Sequence, residues 1–360
     1  MKPFHKAISV FLLMLAGTIC SGGITAEKPA GDYSFLYKDI PFQMAKVKLP
    51  DIPARSVNIK DFGAKSGGAI SNTKAIAAAI DAVAGKGGGT VVIPEGLWLT
   101  GPIVLRSKVN LHAEKGALVL FTNNHDEYPL VKTWFEGESM WRAMSPIFAE
   151  KAEDIAITGE GVFDGNGEYW RPANKNSMTD SDWKQLLAKG GKVSDDGMRW
   201  FPTEGALKGG LLMKKRGALT EQEAQEIKVF LRPVMVGIVS CRRVKIEGPV
   251  FQNPPAWTLH PLMCEDVTIA HVKVFNDEWA ANADARQAVF TRTGSTGYAV
   301  QMIDHGAAFD GHYVQPQVMC SGPRCGRAGR EIEACRLHIV KVTPGISKCG
   351  RWAGNRGGLS

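Results

Sequence analysis

The stretch NPPAWTLHPLMC carries three side chains that could do chemistry: Trp257, His260 and Cys264. A tryptophan offers a flat apolar face for stacking, and a histidine changes charge near neutral pH. His260 could face a surface groove or serve as a structural histidine, and Trp257 could line that groove or pack in the core. Cys264 follows Cys241 by 23 residues. We interpret the two cysteines as stacked apolar thiols, rather than as metal ligands or a disulfide.

Two neighbouring segments carry further candidate groups. Asp164 in VFDGNG is followed by Gly and Asn, which predicts an Asx-type turn. Residues 168–232 look like a long insertion, with a helix-like LTEQEAQEIKVFL that starts at a Thr220–Glu223 capping box. Its aromatic side chains either pack the insertion onto the main body or line a sugar site. The tryptophans concerned are Trp170, Trp183 and Trp200.

The elements that must position these side chains are short strands that recur at a fixed interval. Each follows a polar pair. The first two strands are 46 residues apart, which is twice 23, and the last two are 23 residues apart. The four strands are Val109-Asn-Leu111, Ile155-Ala-Ile157, Val244-Lys-Ile246 and Val267-Thr-Ile269. A period of this size is typical of a solenoid, whose stacked coils make one continuous core. It predicts an all-β, right-handed parallel β-helix, with an amphipathic helix at 73–84 that caps the N-terminal end.

Composition agrees with this fold class. Forty glycines and nineteen prolines in 360 residues favour many turns and an all-β architecture. Residues 1–26 are predicted to be a secretory signal: Lys2 and Lys6 precede a short apolar run, and Ala26 ends a small-residue cleavage site. That run is shorter than the roughly 20 residues that span a bilayer. We therefore expect a secreted or periplasmic protein with no membrane span after signal removal.

The positive charge of the chain is concentrated near its C-terminus. Residues 286–360 hold eight Arg and two Lys against two Asp and two Glu, and so carry nearly all of the net charge of +7. The body that bears the repeats is almost neutral, which argues against a nucleic-acid partner. Four of the seven cysteines also lie in this tail, and their pairing cannot be deduced from sequence. They are Cys320, Cys325, Cys335 and Cys349.

Four passages together resemble the family-28 glycoside hydrolases, the polygalacturonases, in their exported bacterial branch. The resemblance covers about residues 55–284. The passages are NIKDFGAKSGGAISNTKAIAAAIDA, GGGTVVIPEGLWLTGPIVLRSKVNLHAEKGALVLF, ITGEGVFDGNGEYW and RPVMVGIVSCRRVKIEGPVFQNPPAWTLHPLMCEDVTI. The resemblance implies a right-handed parallel β-helix that hydrolyses α-1,4-galacturonide links of pectin with inversion. The expected partner is a pectic polysaccharide or oligogalacturonide, and neither a cofactor nor a metal is expected.

The same resemblance assigns site residues. Asn282-Ala-Asp284 matches the family's Asn-x-Asp motif, so Asp284 is the predicted catalytic carboxylate and Asn282 is predicted to bind the sugar. Inversion needs a second, protonated carboxyl group and a water molecule between the two. His260 and Trp257, one coil earlier, are further candidates for substrate binding. The family's Asp-Asp, His-Gly and Arg-x-Lys motifs have only poor matches: Asp304 with Asp310, His305-Gly306, and Arg336-Leu-His338.

Repeat, charge, cysteine content and family motifs all change at about Ala285. The sequence VFTRTGSTGYAV, one period after the last strand, lacks the pattern of a polar pair followed by a strand. We therefore expect three parts: the signal 1–26, an incomplete β-helix domain 27–284, and an irregular basic tail 285–360. A reading-frame shift near residue 285 explains the change, and a recombined module or a disulfide-rich cap are the alternatives.

The expected function follows from these parts. We predict a polygalacturonase-type hydrolase that is weak or inactive as written, because the later catalytic motifs are absent. The alternative is a non-catalytic, pectin-binding or scaffold β-helix, because a fold does not decide a function. A pectate-lyase function fits less well, since we find no cluster of acids suited to calcium.

Overall fold

A computed structural model describes residues 47–135 and 138–276, together with short strands beyond residue 288. These residues belong to one compact unit, Ala45–Ser360. The predicted signal 1–26 lies outside the described residues. The helices and longer strands are, in chain order, β1 (Ser56–Asn58), α1 (Thr73–Ala84), β2 (Gly89–Ile93), β3 (Gly96–Thr100), β4 (Ile103–Val104), β5 (Val109–Ala113), β6 (Ala117–Phe121), β7 (Leu130–Phe135), β8 (Glu138–Ala143), β9 (Ile147–Glu150), β10 (Glu153–Gly159), β11 (Val162–Asp164), β12 (Ala173–Asn174), α2 (Asp180–Ala188), β13 (Lys192–Val193), β14 (Arg199–Phe201), α3 (Glu204–Leu212), α4 (Glu221–Glu226), β15 (Val236–Val239), β16 (Arg242–Glu247), β17 (Val250–Gln252), β18 (Leu259–Ala270), β19 (Lys273–Phe275), β20 (Val289–Thr293), β21 (Gly297–Tyr298), β22 (Val300–Asp304) and β23 (Ile339–Lys341).

Parallel strands wind into the coils of a right-handed parallel β-helix, so the predicted fold class is confirmed. One sheet has the order β1-β2-β5-β10-β16-β18-β15-β9-β4, and a second has the order β19-β17-β11-β6-β3. Strand β18 is long enough to pair with two different strands of the preceding coil. Its first residues, from Leu259 to Leu262, pair with β15, and its last residues, from Glu265 to Ala270, pair with β16.

The 23-residue repeat is a ladder of inward side chains. Val91, Leu111, Ile157, Ile246 and Ile269 are direct neighbours on successive strands. All five are buried in one continuous core. No coil could bury these side chains alone, so each coil depends on the next for its core.

The polar pair before each strand forms a corner of the coil. Its second residue has a left-handed backbone in each case: Lys108 (φ 62°), Asp154 (φ 57°), Arg243 (φ 53°) and Asp266 (φ 54°). Such a conformation is unusual outside glycine and marks a sharp change of chain direction. Arg243 also binds the preceding corner, with Nε 2.5 Å from Oδ1 of Asp154. This hydrogen bond lowers the pKa of the Asp154 carboxyl.

An extended segment, residues 48–55, lies along this column of corners, and we call it the strap. The backbone N–H of Lys48 donates to Asp266 Oδ1 at 3.2 Å, and that of Asp51 donates to Asp154 Oδ1 at 3.0 Å. At its far end the Arg55 carbonyl accepts from the Thr90 N–H at 2.8 Å. The strap therefore runs from the coil of β18 back to the coil of β2.

The predicted helix at 73–84 is present as α1. Its apolar stripe is buried in the main core of the coils: Ile76, Ala79, Ile80 and Val83. Asn72 precedes the helix, and its side chain donates to the Leu99 carbonyl at 3.1 Å instead of capping the helix. The role of α1 as a cap for the end of the rod stays a prediction.

The insertion forms its own small structure beside the coils. It contains α2, α3 and α4 with an antiparallel sheet of order β12-β14-β13. The capping box of Thr220 and Glu223 is present at the start of α4. All three tryptophans are buried, as the packing interpretation predicts: Trp170, Trp183 and Trp200.

The region after residue 285, which was expected to be irregular, contains a few short strands. Strand β20 pairs in parallel with β18, β22 pairs with β18 further along, and β23 pairs with β22. These strands add short parallel pairings beyond β18, and the division of the chain at residue 284 stays a prediction. The outer edge of β18 offers N–H and C=O groups that extended backbone can satisfy whatever its side-chain pattern.

Among the described residues, none of the helices has the length and hydropathy to cross a membrane.

Candidate functional site

A pair of aromatic rings lies on the outer wall of the β-helix. Phe135 ends strand β7 of the β7–β8 hairpin, and Trp257 stands just before β18. Their rings are stacked, with centroids 4.7 Å apart and planes at 10°. The His260 ring lies 5.8 Å from the Phe135 ring and 5.5 Å from the Trp257 ring, tilted to both. Phe135 and Trp257 are both partly exposed, so the pair can contact a ligand.

The turn before Trp257 is fixed by a buried arginine. Arg171 is 6% exposed, and its Nη2 donates to the carbonyls of Pro254 and Ala256, each at 3.1 Å. Gly167 lies against the same turn, and a Cβ there would fall 2.3 Å from the Pro254 carbonyl oxygen. Only glycine allows this close approach. The position of Trp257 is thus set by rigid neighbours rather than by a free loop.

His260 lies behind the two rings and is 2% exposed. It stacks on Gly237 of the preceding coil, and the missing side chain of Gly237 leaves room for Ser145 Oγ. Burial, and then the nearby charge of Arg142, lower the His260 pKa to about 4. His260 is therefore neutral at neutral pH. Its burial favours the structural interpretation and leaves Trp257 as the exposed member of the predicted pair.

Three arginines lie around this wall, and we call them the arginine cluster: Arg142, Arg171 and Arg232. The Arg142 side chain, on β8, places its guanidinium carbon 3.9 Å from the centroid of Phe135, a cation–π contact. Its Nη2 also donates to the Arg232 carbonyl. Burial, and then the charge of Arg232, lower the Arg171 pKa to about 10. Burial also lowers the Arg232 pKa.

Other residues singled out in the sequence have clear places. Asp164 makes the predicted Asx turn, because its Oδ1 accepts from the Asn166 N–H at 2.8 Å. Cys241 and Cys264 are buried, free thiols, and burial raises the pKa of Cys264. In the part of the chain that the structure describes, His, Cys, Asp and Glu form no metal-binding group. Asn282 and Asp284, the predicted sugar-binding and catalytic residues, lie outside the described residues.

Sequence reasoning missed Phe135 and the arginine cluster. The signal for Phe135 was available, since LVKTWFEGESMWRA contains two strand-like runs separated by Glu-Gly, and the two runs pair as β7 and β8. No sequence pattern joins Arg142 to Arg232, because their contact depends on how the insertion returns to the coils.

Comparisons with known proteins agree with the fold and with the sequence resemblance. The family model for "Rhamnogalacturonase A/epimerase, pectate lyase-like" matches residues 56–120. The crystal structure of a hyperthermoactive exopolygalacturonase from Thermotoga maritima superposes with a TM-score of 0.53 at 30% identity, over 72% of this chain and 56% of that one. Over the superposed part, the chain is similar to this exopolygalacturonase in fold and in sequence.

Two curated relatives are similar to smaller shares of the chain. A probable polygalacturonase of Vitis vinifera is 23% identical over 240 residues, or 64% of this chain and 39% of the relative. An exo-poly-alpha-D-galacturonosidase of Dickeya chrysanthemi is 31% identical over 150 residues, or 39% of this chain and 25% of the relative. The chain therefore spans well under half the length of either relative.

Proposed function

We propose that the chain is a polygalacturonase-type glycoside hydrolase that binds pectic polysaccharide along the wall marked by Phe135 and Trp257. The observation that carries the proposal is this fixed, partly exposed ring pair on the outside of a polygalacturonase-like β-helix. Aromatic faces are suited to the apolar faces of sugar rings, and a preformed pair costs little ordering on binding.

The proposed chemistry is inverting hydrolysis of an α-1,4-galacturonide link. Asp284 is the proposed carboxylate that takes a proton from water, with Asn282 beside it on the sugar. A protonated carboxyl group must stand on the other side of the link, at about 6.5–9.5 Å from the first, to leave room for that water. This second acid remains unassigned, because the chain lacks an adjacent Asp-Asp pair after Asp284. We therefore propose weak or no turnover for the chain as written.

Two measurements on polygalacturonate test this proposal. The chain should bind oligogalacturonide, and Asp284→Asn should remove whatever release of reducing ends it shows. Restoring the reading frame near codon 285 should raise that release strongly. A restored protein that binds but releases no reducing ends contradicts the hydrolase assignment and favours the non-catalytic alternative.

We also propose export, with residues 1–26 removed as a signal. The mature protein recovered from the periplasm or the medium should then begin at Glu27, as N-terminal sequencing would establish. Recovery of the protein only from the cytoplasm with Met1 in place contradicts export.

A further inference from the structure

The strap has a pattern of burial that recurs every third residue. Val47 just before the strap, Pro50 and Pro53 are half-buried, and the residues that follow them, Lys48, Asp51 and Ala54, are exposed. Ile52 is half-buried as well. Proline fixes φ near −65° and favours the polyproline II conformation, which has three residues per turn. In that conformation, N–H groups three residues apart point to the same side of the chain.

The rise of such a segment matches the spacing of the coils. Asp154 and Asp266 are corners two coils apart, with Arg243 at the corner between them. Neighbouring strands of a sheet lie about 4.8 Å apart, so two coils span about 9.6 Å. Three residues of polyproline II advance about 9.3 Å. The N–H groups of Lys48 and Asp51 can therefore both reach their acceptors from one regular segment.

The corners that bind these N–H groups are the ones that offer an acceptor. Asp154 and Asp266 are buried, at 4% and 7% exposed, and each accepts one N–H of the strap. The hydrogen bond from Arg243 lowers the pKa of Asp154 and so favours the ionised carboxylate, which is the stronger acceptor. Lys108 and Arg243, at the alternate corners, carry cations that have no acceptor atom. Acceptors thus recur at every second coil.

The other end of the strap continues the same spacing. Two coils before Asp154, Gly88 precedes strand β2 and has a left-handed backbone, with φ 112°. A Cβ at Gly88 would fall 3.0 Å from Cδ of Pro53, so the strap packs closely on this coil. The Arg55 carbonyl then accepts from the Thr90 N–H. The strap therefore contacts the coils of β18, β10 and β2 in turn, at intervals of two coils.

In a solenoid each coil contacts only its neighbours, so one coil can open without disturbing coils further away. The strap departs from this rule, because the three coils that it contacts are not neighbours in the sheet. We infer that the acidic corners are a docking surface for a polyproline II segment, and that the docked strap couples the coil of β18 to that of β10. The two coils then open together. This inference is independent of the proposed function.

Amide hydrogen exchange in the full chain tests the coupling. In the wild type, the best-protected amides of β10 and of residues 265–270 should have similar protection factors. Lys48→Pro removes the N–H that binds Asp266 and keeps the conformation that the strap favours. It should lower protection in residues 265–270 about tenfold and in β10 by less than about twofold. Lys48→Ala is the matched control, because it keeps the N–H and loses only an exposed side chain, and it should behave as the wild type.

Asp266→Gly tests the same contact from the other partner, because glycine removes the acceptor and accepts the left-handed backbone. It should change the ratio of the two protection factors as Lys48→Pro does, and the double variant should change it no further. The inference is overturned if Lys48→Pro leaves this ratio unchanged, if Lys48→Ala changes it equally, or if the two substitutions act additively. Should Lys48→Pro fail to fold, the ratio in Asp266→Gly decides.

Discussion

Phe135 and Trp257 lie with their ring planes within 10° of parallel and their centroids 4.7 Å apart, although they belong to different elements. The stack joins the β7–β8 hairpin to the coil that contains β18. Arg142 covers Phe135 with its guanidinium, so the hairpin side of the wall is also held in place. The wall is therefore formed before a ligand arrives, which reduces the entropy lost on binding.

Removing the Trp257 ring should weaken binding of both acidic and neutral oligosaccharides. In Trp257→Ala we expect about a tenfold loss of affinity for trigalacturonate, because the loss includes the ring–sugar contact and the support of Phe135. Titration calorimetry measures the change. Trp257→Phe keeps a flat ring and should recover most of the loss.

A neighbouring tryptophan provides the matched control for this substitution. Trp134 is on the same hairpin and is 39% exposed, but its ring is not part of the stack. Trp134→Ala should change affinity by less than about twofold. Equal losses in Trp134→Ala and Trp257→Ala would mean that the hairpin as a whole, and not the stack, supports binding.

Protonation of His260 should make the protein less stable in mild acid. Its folded pKa of about 4 lies below the ordinary value of 6.5, so between these values the unfolded chain binds the proton and the folded chain does not. Above pH 6.5 the titration of His260 has no effect on the free energy of unfolding. As the pH falls from about 6.5 to about 4, it lowers that free energy progressively. The total is on the order of 3 kcal/mol.

Substitution of His260 by a neutral residue isolates that dependence. We expect His260→Gln to be less stable than the wild type at pH 8, because the ring packing is lost. The difference should shrink as the pH falls to about 4, because the variant has no group to protonate there. Urea denaturation at several pH values measures it. A difference that stays constant from pH 8 to 4 would contradict a neutral, buried His260.

The ladder of inward side chains should respond strongly to loss of volume. Ile246 lies between Ile157 and Ile269 in the stack and is fully buried. Ile246→Ala should reduce the free energy of unfolding by about 2–5 kcal/mol, and Ile246→Val by about 0.5–1.5 kcal/mol. Chemical denaturation gives both values. A cost below about 1 kcal/mol for the alanine variant would show that this rung does not depend on its neighbours.

The coils of the β-helix could be predicted from the sequence, but the contacts around the aromatic pair could not, for physical reasons. Residues such as Ile157 and Ile246 occupy equivalent buried positions in their coils, so apolar residues recur in the sequence at the period of the coil. The Asx turn at Asp164 is local and could be predicted in the same way. The contact of Arg142 with the Arg232 carbonyl joins two distant parts of the chain through a non-repeating insertion, so no period or short motif reports it. The burial of His260 could not be read from the sequence, because it depends on the hairpin that places Phe135 against it.

The strap pairs an early segment of the chain with residues that are synthesised much later. Lys48 finds its acceptor on Asp266, more than two hundred residues downstream, while Arg55 already has Thr90 close at hand. During synthesis the Arg55 end of the strap can thus pair with the coil of β2 early. The Lys48 end has no acceptor until the coil of β18 has been synthesised and has folded. The hydrogen bond from the Lys48 N–H to Asp266 can therefore form only after that coil is complete.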